Sequence, residues 1–290
     1  VCSSDLNLAE TANRSESGVY GRMYNLISAS LMENTPEAIT GYLRSAEYRN
    51  TDWFQALFNN NIMHSHSVSL TSGTEKSSYY ASLSALYDPG WTKTSKVSRY
   101  TANLISNASY RKQKAPGTLS STTDAVTGTV KRDFDINPYS YAMNTSRTLD
   151  KDAYYTRNYA PFNILHELDA NYMDLDVVDT KFQAELKWEP VKGLELAALA
   201  AVKYNATVQE HHITDESNQA TAYRTDSPTT VRNNNPFLYK DPDNPYAVKE
   251  VVLPVGGIYE RDDRKMYSYD FRLTATYNTT IKNACNTTWA

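Results

Sequence analysis

Apolar and polar side chains alternate along much of the chain from about residue 61 onward, which predicts β-strands with two chemically different faces. The clearest case is residues 178–189. One face there carries Val178, Thr180, Phe182, Ala184, Leu186 and Trp188, and the other carries Asp179, Lys181, Gln183, Glu185, Lys187 and Glu189. A slip of one residue would exchange the two faces, so the pattern fixes the orientation of this strand.

Similar alternation recurs and predicts about six strands in all. The further runs occupy residues 66–71, 79–87, 100–110, 194–209 and 267–277. Tight turns are predicted at residues 73–76 and 190–193, which separate consecutive runs. Runs joined in this way form antiparallel hairpins.

Only one helix is predicted, within residues 34–60. Thr35 can cap its start and Pro36 suits its first turn, followed by an early acid, Glu37. Residues 7–33 show no clear periodicity.

Alternation alone also fits a soluble β-sandwich or a lipocalin, but three features favour an antiparallel transmembrane β-barrel. Runs reach about 11 residues, the length that a tilted strand needs to cross a bilayer. Aromatic residues such as Tyr267 and Tyr277 lie at run ends, where interfacial girdles are expected. Residues 111–170 and 211–264 form long loops, which contrast with the tight turns. The predicted fold class is therefore all-β, a transmembrane barrel fragment with long extracellular loops and one loop helix.

Composition agrees with strands that meet a membrane interface. The chain has 23 Tyr against 7 Phe, and tyrosine combines an apolar ring with a hydrated hydroxyl. A net charge of −4 provides no basic field for nucleic acid. No run of about 18 apolar residues predicts a membrane helix.

Two terminal segments are expected to be artefacts. Residues 1–6, which include Cys2, resemble translated sequencing-adapter read-through, and residues 283–290, which include Cys285, look like a truncated or frame-damaged tail. Without these cysteines the chain has no thiol for a disulfide, a metal site or a nucleophile.

Several segments resemble a known family in their order and spacing. They lie at residues 50–54, 66–76, 79–83, 217–220, 222–224 and 253–259. Their motif residues are Asp52, Trp53, Gly73, Asn218, Gln219, Tyr223, Arg224, Pro254, Gly256 and Gly257. Together they resemble the SusC-like family of TonB-dependent outer-membrane transporters, from about residue 19 to residue 282.

This resemblance implies a barrel of about 22 strands that is closed by an N-terminal plug domain. It also implies a bacterial outer-membrane location and the import of oligosaccharides or peptides. The expected partners are a SusD-like surface lipoprotein, the TonB complex acting through the plug, a glycan or peptide ligand and outer-membrane lipid, with no nucleic acid.

Within that frame, residues 7–63 are expected to form the region between the plug and the first extracellular loop, and residues 64–282 a partial barrel. The plug and the later strands are expected to lie outside this chain. If residues 100–110 form one strand, successive connections do not alternate between the two sides of the membrane. We therefore expect about one turn and one strand's worth of residues to be missing between Tyr100 and Leu104.

No cluster predicts chemistry or metal binding. His64 and His66 share a strand face, His211 and His212 open a loop, and residues 241–244 are rich in oxygen ligands, but each set lacks the remaining ligands of a metal site. We expect no enzyme activity, no catalytic residue, no metal and no cofactor.

Aromatic residues of the long loops are the candidate ligand contacts. They are Tyr139, Tyr141, Tyr154, Tyr155, Phe237 and Tyr239. They lie among Asn and Asp residues, a mixture suited to stacking on sugar rings and binding hydroxyl groups, although the rings could instead pack the loops together. For the whole chain, the alternatives are a soluble or surface-attached glycan-binding β-protein and an outer-membrane barrel enzyme.

Overall fold

A computed structural model describes residues 18–74, 77–104, 106–116, 122–123, 130–131, 134 and 137–278. The helices are α1 (Gly18–Ser28), α2 (Pro36–Glu47), α3 (Trp53–Leu57), α4 (Pro138–Asn144), α5 (Ile164–Ala170), α6 (Asn218–Ala222) and α7 (Thr229–Asn234). The strands are β1 (His64–Thr74), β2 (Ser77–Asp88), β3 (Lys96–Asn103), β4 (Ser106–Pro116), β5 (Thr122–Thr123), β6 (Val130–Lys131), β7 (Tyr155–Arg157), β8 (Ala160–Phe162), β9 (Asn171–Val191), β10 (Leu194–Ile213) and β11 (Ile258–Tyr277). The suspected terminal artefacts, with Cys2 and Cys285, lie outside the described residues.

The main sheet is antiparallel and open, with its strands in the order β1-β2-β3-β4-β9-β10-β11. Each strand pairs with the next long strand in sequence, as expected when hairpins follow one another. Two small sheets, β5-β6 and β7-β8, lie in the connection between β4 and β9. The predicted all-β antiparallel fold class is confirmed, with 46% of the described residues in strands.

The run at residues 100–110 forms two strands rather than the single strand predicted. β3 ends at Asn103 and β4 begins at Ser106, and Tyr100 faces Tyr110 while Ala102 faces Ala108. All four residues are even-numbered, so the alternation continues through the turn and conceals it. The main sheet therefore has seven strands instead of six, and successive connections do alternate between the two ends of the strands.

The β3–β4 hairpin is nevertheless shorter than its neighbours. β2 pairs with β3 only over residues 82–88, and β9 pairs with β4 only over residues 172–182. The predicted break in the alternation of connections near Tyr100 is therefore wrong, because two strands lie there. That residues are missing between Tyr100 and Leu104 stays a prediction, and such residues would lengthen the short β3–β4 hairpin.

Short connections join the strands at one end of the sheet and long connections join them at the other end, as predicted. Among the short ones, Lys192 and Gly193 join β9 to β10. Gly193 has φ 91°, and a Cβ there would lie 2.3 Å from the carbonyl oxygen of Asn278, so the turn requires glycine. Residues 75–76 of the other predicted turn lie outside the described part.

Strands β9 and β11 extend further than the alternation predicted, to Asn171 and Ile258. Charged residues interrupt the apolar pattern in these extensions, but they pair across strands. Examples are the contacts of Asp176 with Lys112 at 3.8 Å and of Glu210 with Arg261 at 3.2 Å.

The helical content differs in part from the prediction. The Thr35 hydroxyl accepts a hydrogen bond from the Ala38 amide at 3.3 Å, so the predicted cap of α2 is confirmed. A separate helix, α3, then begins after Asp52, and α1 occupies a region where no helix was predicted. None of the helices within the described ranges has the length and apolar character needed to span a membrane.

Buried side chains concentrate at the end of the sheet where the long connections lie. We call residues 18–63, 89–95, 134, 137–170 and 214–257 the loop cap. One cluster in it comprises Trp53, Leu57, Ala142, Leu149, Tyr155, Phe162, Ile164 and Leu168. A second comprises Phe134, Ala160 and Ala222, with Tyr223 and Phe237 packed against them. The hydrophobic core thus lies beyond the ends of the strands, in the loop cap, rather than on a sheet face.

Candidate functional site

One face of the main sheet is apolar and uncovered. Its large exposed side chains are Val68, Leu70, Leu83, Tyr87, Tyr100, Tyr110, Val178, Phe182, Leu186, Trp188, Val202, Tyr267, Tyr269, Phe271, Leu273 and Tyr277. Phe182 is 50% exposed and Phe271 is 72% exposed, so no second layer packs over them within the described part of the chain. The register places these side chains on one face and Lys181 and Glu185 on the other, as the alternation predicted.

The apolar face forms a band free of charged residues. The band runs from Tyr267 to Tyr277 in β11 and from Val178 to Trp188 in β9. Ten steps of about 3.4 Å, for strands tilted by roughly 40°, give a height of about 26 Å. The apolar band of outer-membrane barrels is about 25 Å tall, so the two heights agree.

A row of aromatic rings lies between this band and the loop cap, on the same face. The ring of His212 stacks on Tyr172 at 4.8 Å and lies 5.1 Å from Tyr259, and the three residues face one another across β9, β10 and β11. Lys114 places its ammonium group 3.9 Å from the Tyr172 ring. Rings with polar edges in this position match a membrane interface.

The opposite face carries charged and amide side chains. Asp179 receives Lys203 at 2.9 Å and the Asn205 amide at 3.2 Å, which joins β9 to β10. Arg264 pairs with Asp262 at 2.6 Å along β11. We call this surface the polar face, and its exposed ion pairs suit contact with water and polar solutes.

The motif residue Asn218 holds three segments of the loop cap together. Its side-chain amide donates to the carbonyl oxygens of Arg157, Ala160 and Pro161 at 2.8, 3.2 and 3.1 Å, and its backbone N–H donates to Glu167 at 2.8 Å. Burial raises the pKa of the Glu167 carboxyl, although the bond from Asn218 opposes this effect.

Other motif residues also bind the cap to itself. Arg224 donates to the carbonyl of Gly256 at 2.6 Å and pairs with Asp215 at 2.6 Å. A Cβ at Gly257 would lie 2.1 Å from the carbonyl of Ile213, so the chain passes too close for a side chain. The indole of Trp53 donates to the Ser146 carbonyl at 2.9 Å.

The remaining motif residues have less in common. Asp52 caps α3 by accepting from the Gln55 amide at 3.1 Å. Gln219 is buried beside Tyr223, Gly73 lies in β1, and Pro254 is exposed. Within the motif set, contacts that stabilise loops therefore predominate.

Three of the six proposed ligand-binding aromatics pack inside the cap. Tyr155 lies in the first buried cluster, where its hydroxyl donates to Tyr141 at 3.4 Å, and Phe237 packs on the second cluster. Burial raises the pKa of Tyr141 to about 12 and raises that of Tyr155 well above its usual value. These rings are placed to pack loops.

The other three, Tyr139, Tyr154 and Tyr239, are exposed but do not form one site. Tyr154 lies 5.8 Å from the His166 ring, and Tyr239 is held by backbone hydrogen bonds to Glu250. Only Tyr139 belongs to a larger group of exposed rings.

That group is an aromatic patch made of Phe54, Phe58, Trp91 and Tyr139. Phe58 stacks on Phe54 at 5.6 Å and on Trp91 at 5.3 Å, and Tyr139 lies 6.0 Å from Phe54 and 6.5 Å from Trp91. Trp91 is 60% exposed and Tyr139 is 50% exposed. Three segments far apart in sequence build the patch, so the loop composition identified only one of its rings.

Backbone hydrogen bonds hold two of these segments in place. The Asn59 amide donates to the Trp91 carbonyl at 2.9 Å, and the Lys93 amide donates to the Leu57 carbonyl at 3.1 Å. The patch is therefore a fixed feature of the cap surface, suited to stacking against flat or ring-shaped groups.

The residues tested for metal binding adopt ordinary roles. The rings of His64 and His66 are parallel and 6.4 Å apart, while His211 binds Asn171 at 2.7 Å and faces away from His212. Residues 241–244 form a turn closed by the Asp241 carboxylate. Over the described ranges, no group of three or more His, Cys, Asp or Glu side chains is arranged to hold a metal ion.

No protein-family model matches the chain, and no curated protein is significantly similar to it. Among solved structures, the RagAB peptide importer in its "closed-closed" state is similar, with 19% sequence identity and a TM-score of 0.46. The similarity covers 81% of this chain and 24% of the importer chain, so this chain spans about a quarter of that length. A similarity at this level does not establish a family.

Proposed function

We propose that this chain is part of a TonB-dependent active transporter of the bacterial outer membrane. It imports oligosaccharides or peptides with a SusD-like surface lipoprotein, and we assign no covalent chemistry to it. The observation that carries the proposal is the uncovered, charge-free band on one sheet face, opposite a face rich in ion pairs. In water such a band would be an unusually large apolar patch, whereas in a bilayer it faces hydrocarbon.

The proposal orients the molecule in the membrane. Short turns lie on the periplasmic side and the loop cap lies outside the cell, as in outer-membrane barrels generally. The outer edges of β1 and β11 must be paired within lipid, so further strands complete the barrel. The polar face then lines the lumen, and the aromatic patch lies among the extracellular loops.

Tryptophan fluorescence in bilayers of lipids brominated on their acyl chains tests the proposal. Phe182→Trp and Gln183→Trp place the probe on neighbouring residues of β9 that point to opposite faces. Measured in the complete transporter, relative to the unsubstituted protein, the probe at 182 should be quenched several-fold more strongly than the probe at 183.

Two results would oppose the proposal. Weak quenching at both positions, with extraction into buffer without detergent, would favour a soluble glycan-binding β-protein that uses the aromatic patch. Stronger quenching at 183 would reverse the two faces and exclude a lumen lined by the polar face.

A further inference from the structure

Two arginines face each other on the polar face, close to the loop cap. Arg99 of β3 lies directly opposite Arg111 of β4, flanked by Leu86 of β2 and Val177 of β9. Directly opposed residues of antiparallel strands have Cβ atoms about 5 Å apart, and like charges in such a pair destabilise a sheet. An anion bound between the two side chains would relieve this repulsion.

Arg111 also has an unused donor. Its Nε is buried and has no hydrogen-bond partner, and neither Arg111 nor Arg99 forms an ion pair with any described residue. A buried donor without an acceptor is unfavourable, and more so when the group is charged. Both observations favour an acceptor for these side chains that comes from outside the described residues.

The nearest carboxylates on the polar face already have other partners. Asp88 faces Val97, one pair from Arg99, and accepts from the Asn61 amide at 2.7 Å and the Gly90 amide at 2.9 Å. Asp179 faces Ser109, one pair from Arg111, and binds Lys203 and Asn205. Neither of these two described carboxylates is therefore free to pair with the two arginines.

We propose that Arg99 and Arg111 form a carboxylate-binding clamp in the lumen, and that the imported solute carries a carboxylate group. A guanidinium group matches a carboxylate through two parallel hydrogen bonds, so two of them can hold one group from both sides. This inference rests on the proposed function, because that function makes the polar face a lumen. It defines the substrate as acidic, whether the carboxylate belongs to a uronic acid or to a peptide.

Ligand binding to the complete transporter, measured by calorimetry, tests the clamp. The ligands are a uronate-containing oligosaccharide, the same oligosaccharide with its carboxyl groups reduced, a peptide with a free C-terminus, and its C-terminal amide. One acidic ligand should bind at least tenfold more tightly than its neutral counterpart, and the pair that shows this difference identifies the source of the carboxylate. Equal affinity within both pairs would overturn the inference.

Substitutions in the same hairpin locate the effect. The double variant R99Q/R111Q should lose about 10- to 100-fold in affinity for the acidic ligand and bind the neutral one unchanged, since it loses charge-assisted hydrogen bonds. The matched control is Lys112→Gln, which removes a charge from the opposite face of β4 and should leave affinity unchanged. An equal loss in the control would overturn the assignment to the lumen.

The stability of the empty protein separates a binding role from a structural one. If the arginine pair binds an anion, Arg99→Gln removes repulsion between the two side chains and should raise the unfolding midpoint of the ligand-free transporter. The same substitution should reduce the increase in the unfolding midpoint that the ligand produces. A lower midpoint without ligand would show a structural role instead. Lipid quenching of the 182 and 183 probes is independent of these results, so failure of the clamp leaves the transporter proposal intact.

Discussion

The sheet and the loop cap hold their apolar side chains in opposite ways. In the cap, Leu57 and Ala160 are fully buried, and buried polar groups such as Asn218 are bound to neighbouring loops. In the sheet, Leu273 is 69% exposed and Ala201 is among its few buried apolar residues. The cap therefore contains its own hydrophobic core, whereas the sheet depends on its surroundings to cover its apolar face.

This contrast reverses the usual arrangement of a soluble β-protein, in which the sheet face is the core and the loops are hydrated. It separates two sources of stability, which substitutions can probe independently. Burial in protein should govern the cap, and transfer to lipid should govern the sheet.

The largest expected effect is loss of a cap core residue. Phe162→Ala should reduce the free energy of unfolding of the cap by about 3–5 kcal/mol, because it leaves a cavity beside Tyr155. Hydrogen exchange of the complete protein in bilayers should show faster exchange in the cap and unchanged exchange in the sheet. The control is Phe271→Ala on the uncovered sheet face. Under the proposed function this face meets lipid that can fill the space, so the substitution should cost less. Equal loss of protection in both regions would contradict independent stability.

The second effect concerns the apolar band. Leu273→Lys places a charge near its middle and should destabilise the protein in lipid vesicles by about 2–4 kcal/mol, measured by urea unfolding. Its neighbour Thr274→Lys points to the polar face and should change stability little. A similar cost at both positions would mean that the faces meet similar environments.

A smaller effect is expected for the polar network of the cap. Asn218→Ala removes three hydrogen bonds to backbone carbonyls and should cost about 1–3 kcal/mol in cap stability. Asn233→Ala, an exposed change of the same type in α7, is the control and should be close to neutral. Limited proteolysis of the loops checks both, and equal cleavage rates would contradict the structural role of Asn218.

The smallest effect is a pH dependence from Glu167. Burial raises the pKa of this carboxyl in the folded cap above its value in the unfolded chain. Its favourable contribution is therefore complete below the unfolded pKa of about 4.3 and is lost as pH rises through the higher folded pKa. Glu167→Gln should make cap stability relative to the unsubstituted protein increase as pH rises. A stability difference for Glu167→Gln that does not change with pH would contradict the raised pKa of Glu167.

Local sequence was sufficient for much of the sheet. Strict alternation assigned Phe182 and Lys181 to opposite faces, and the turn at 190–193 was identified from its residues. It was insufficient for β3 and β4, where the alternation of apolar and polar residues continues without interruption from Tyr100 to Tyr110 and hides the turn between the two strands. It also failed where cross-strand ion pairs, rather than apolar alternation, extended β9 and β11.

The candidate site depended more heavily on tertiary structure. Tyr139 was identified from the composition of its loop, but Phe54, Phe58 and Trp91 lie beside it only because the cap brings distant segments together. Tyr155 has the same local surroundings in sequence as its neighbour Tyr154, yet it is buried and Tyr154 is exposed. Loop composition cannot distinguish them because burial depends on contacts with residues far along the chain.

The sequence by itself determined which side chains share a strand face, because that property has a period of two residues and is local. Only the tertiary structure decided that Arg99 faces Arg111 and that Trp53 binds Ser146, 93 residues away. Such pairings depend on strand register and on loop closure, which no local pattern contains.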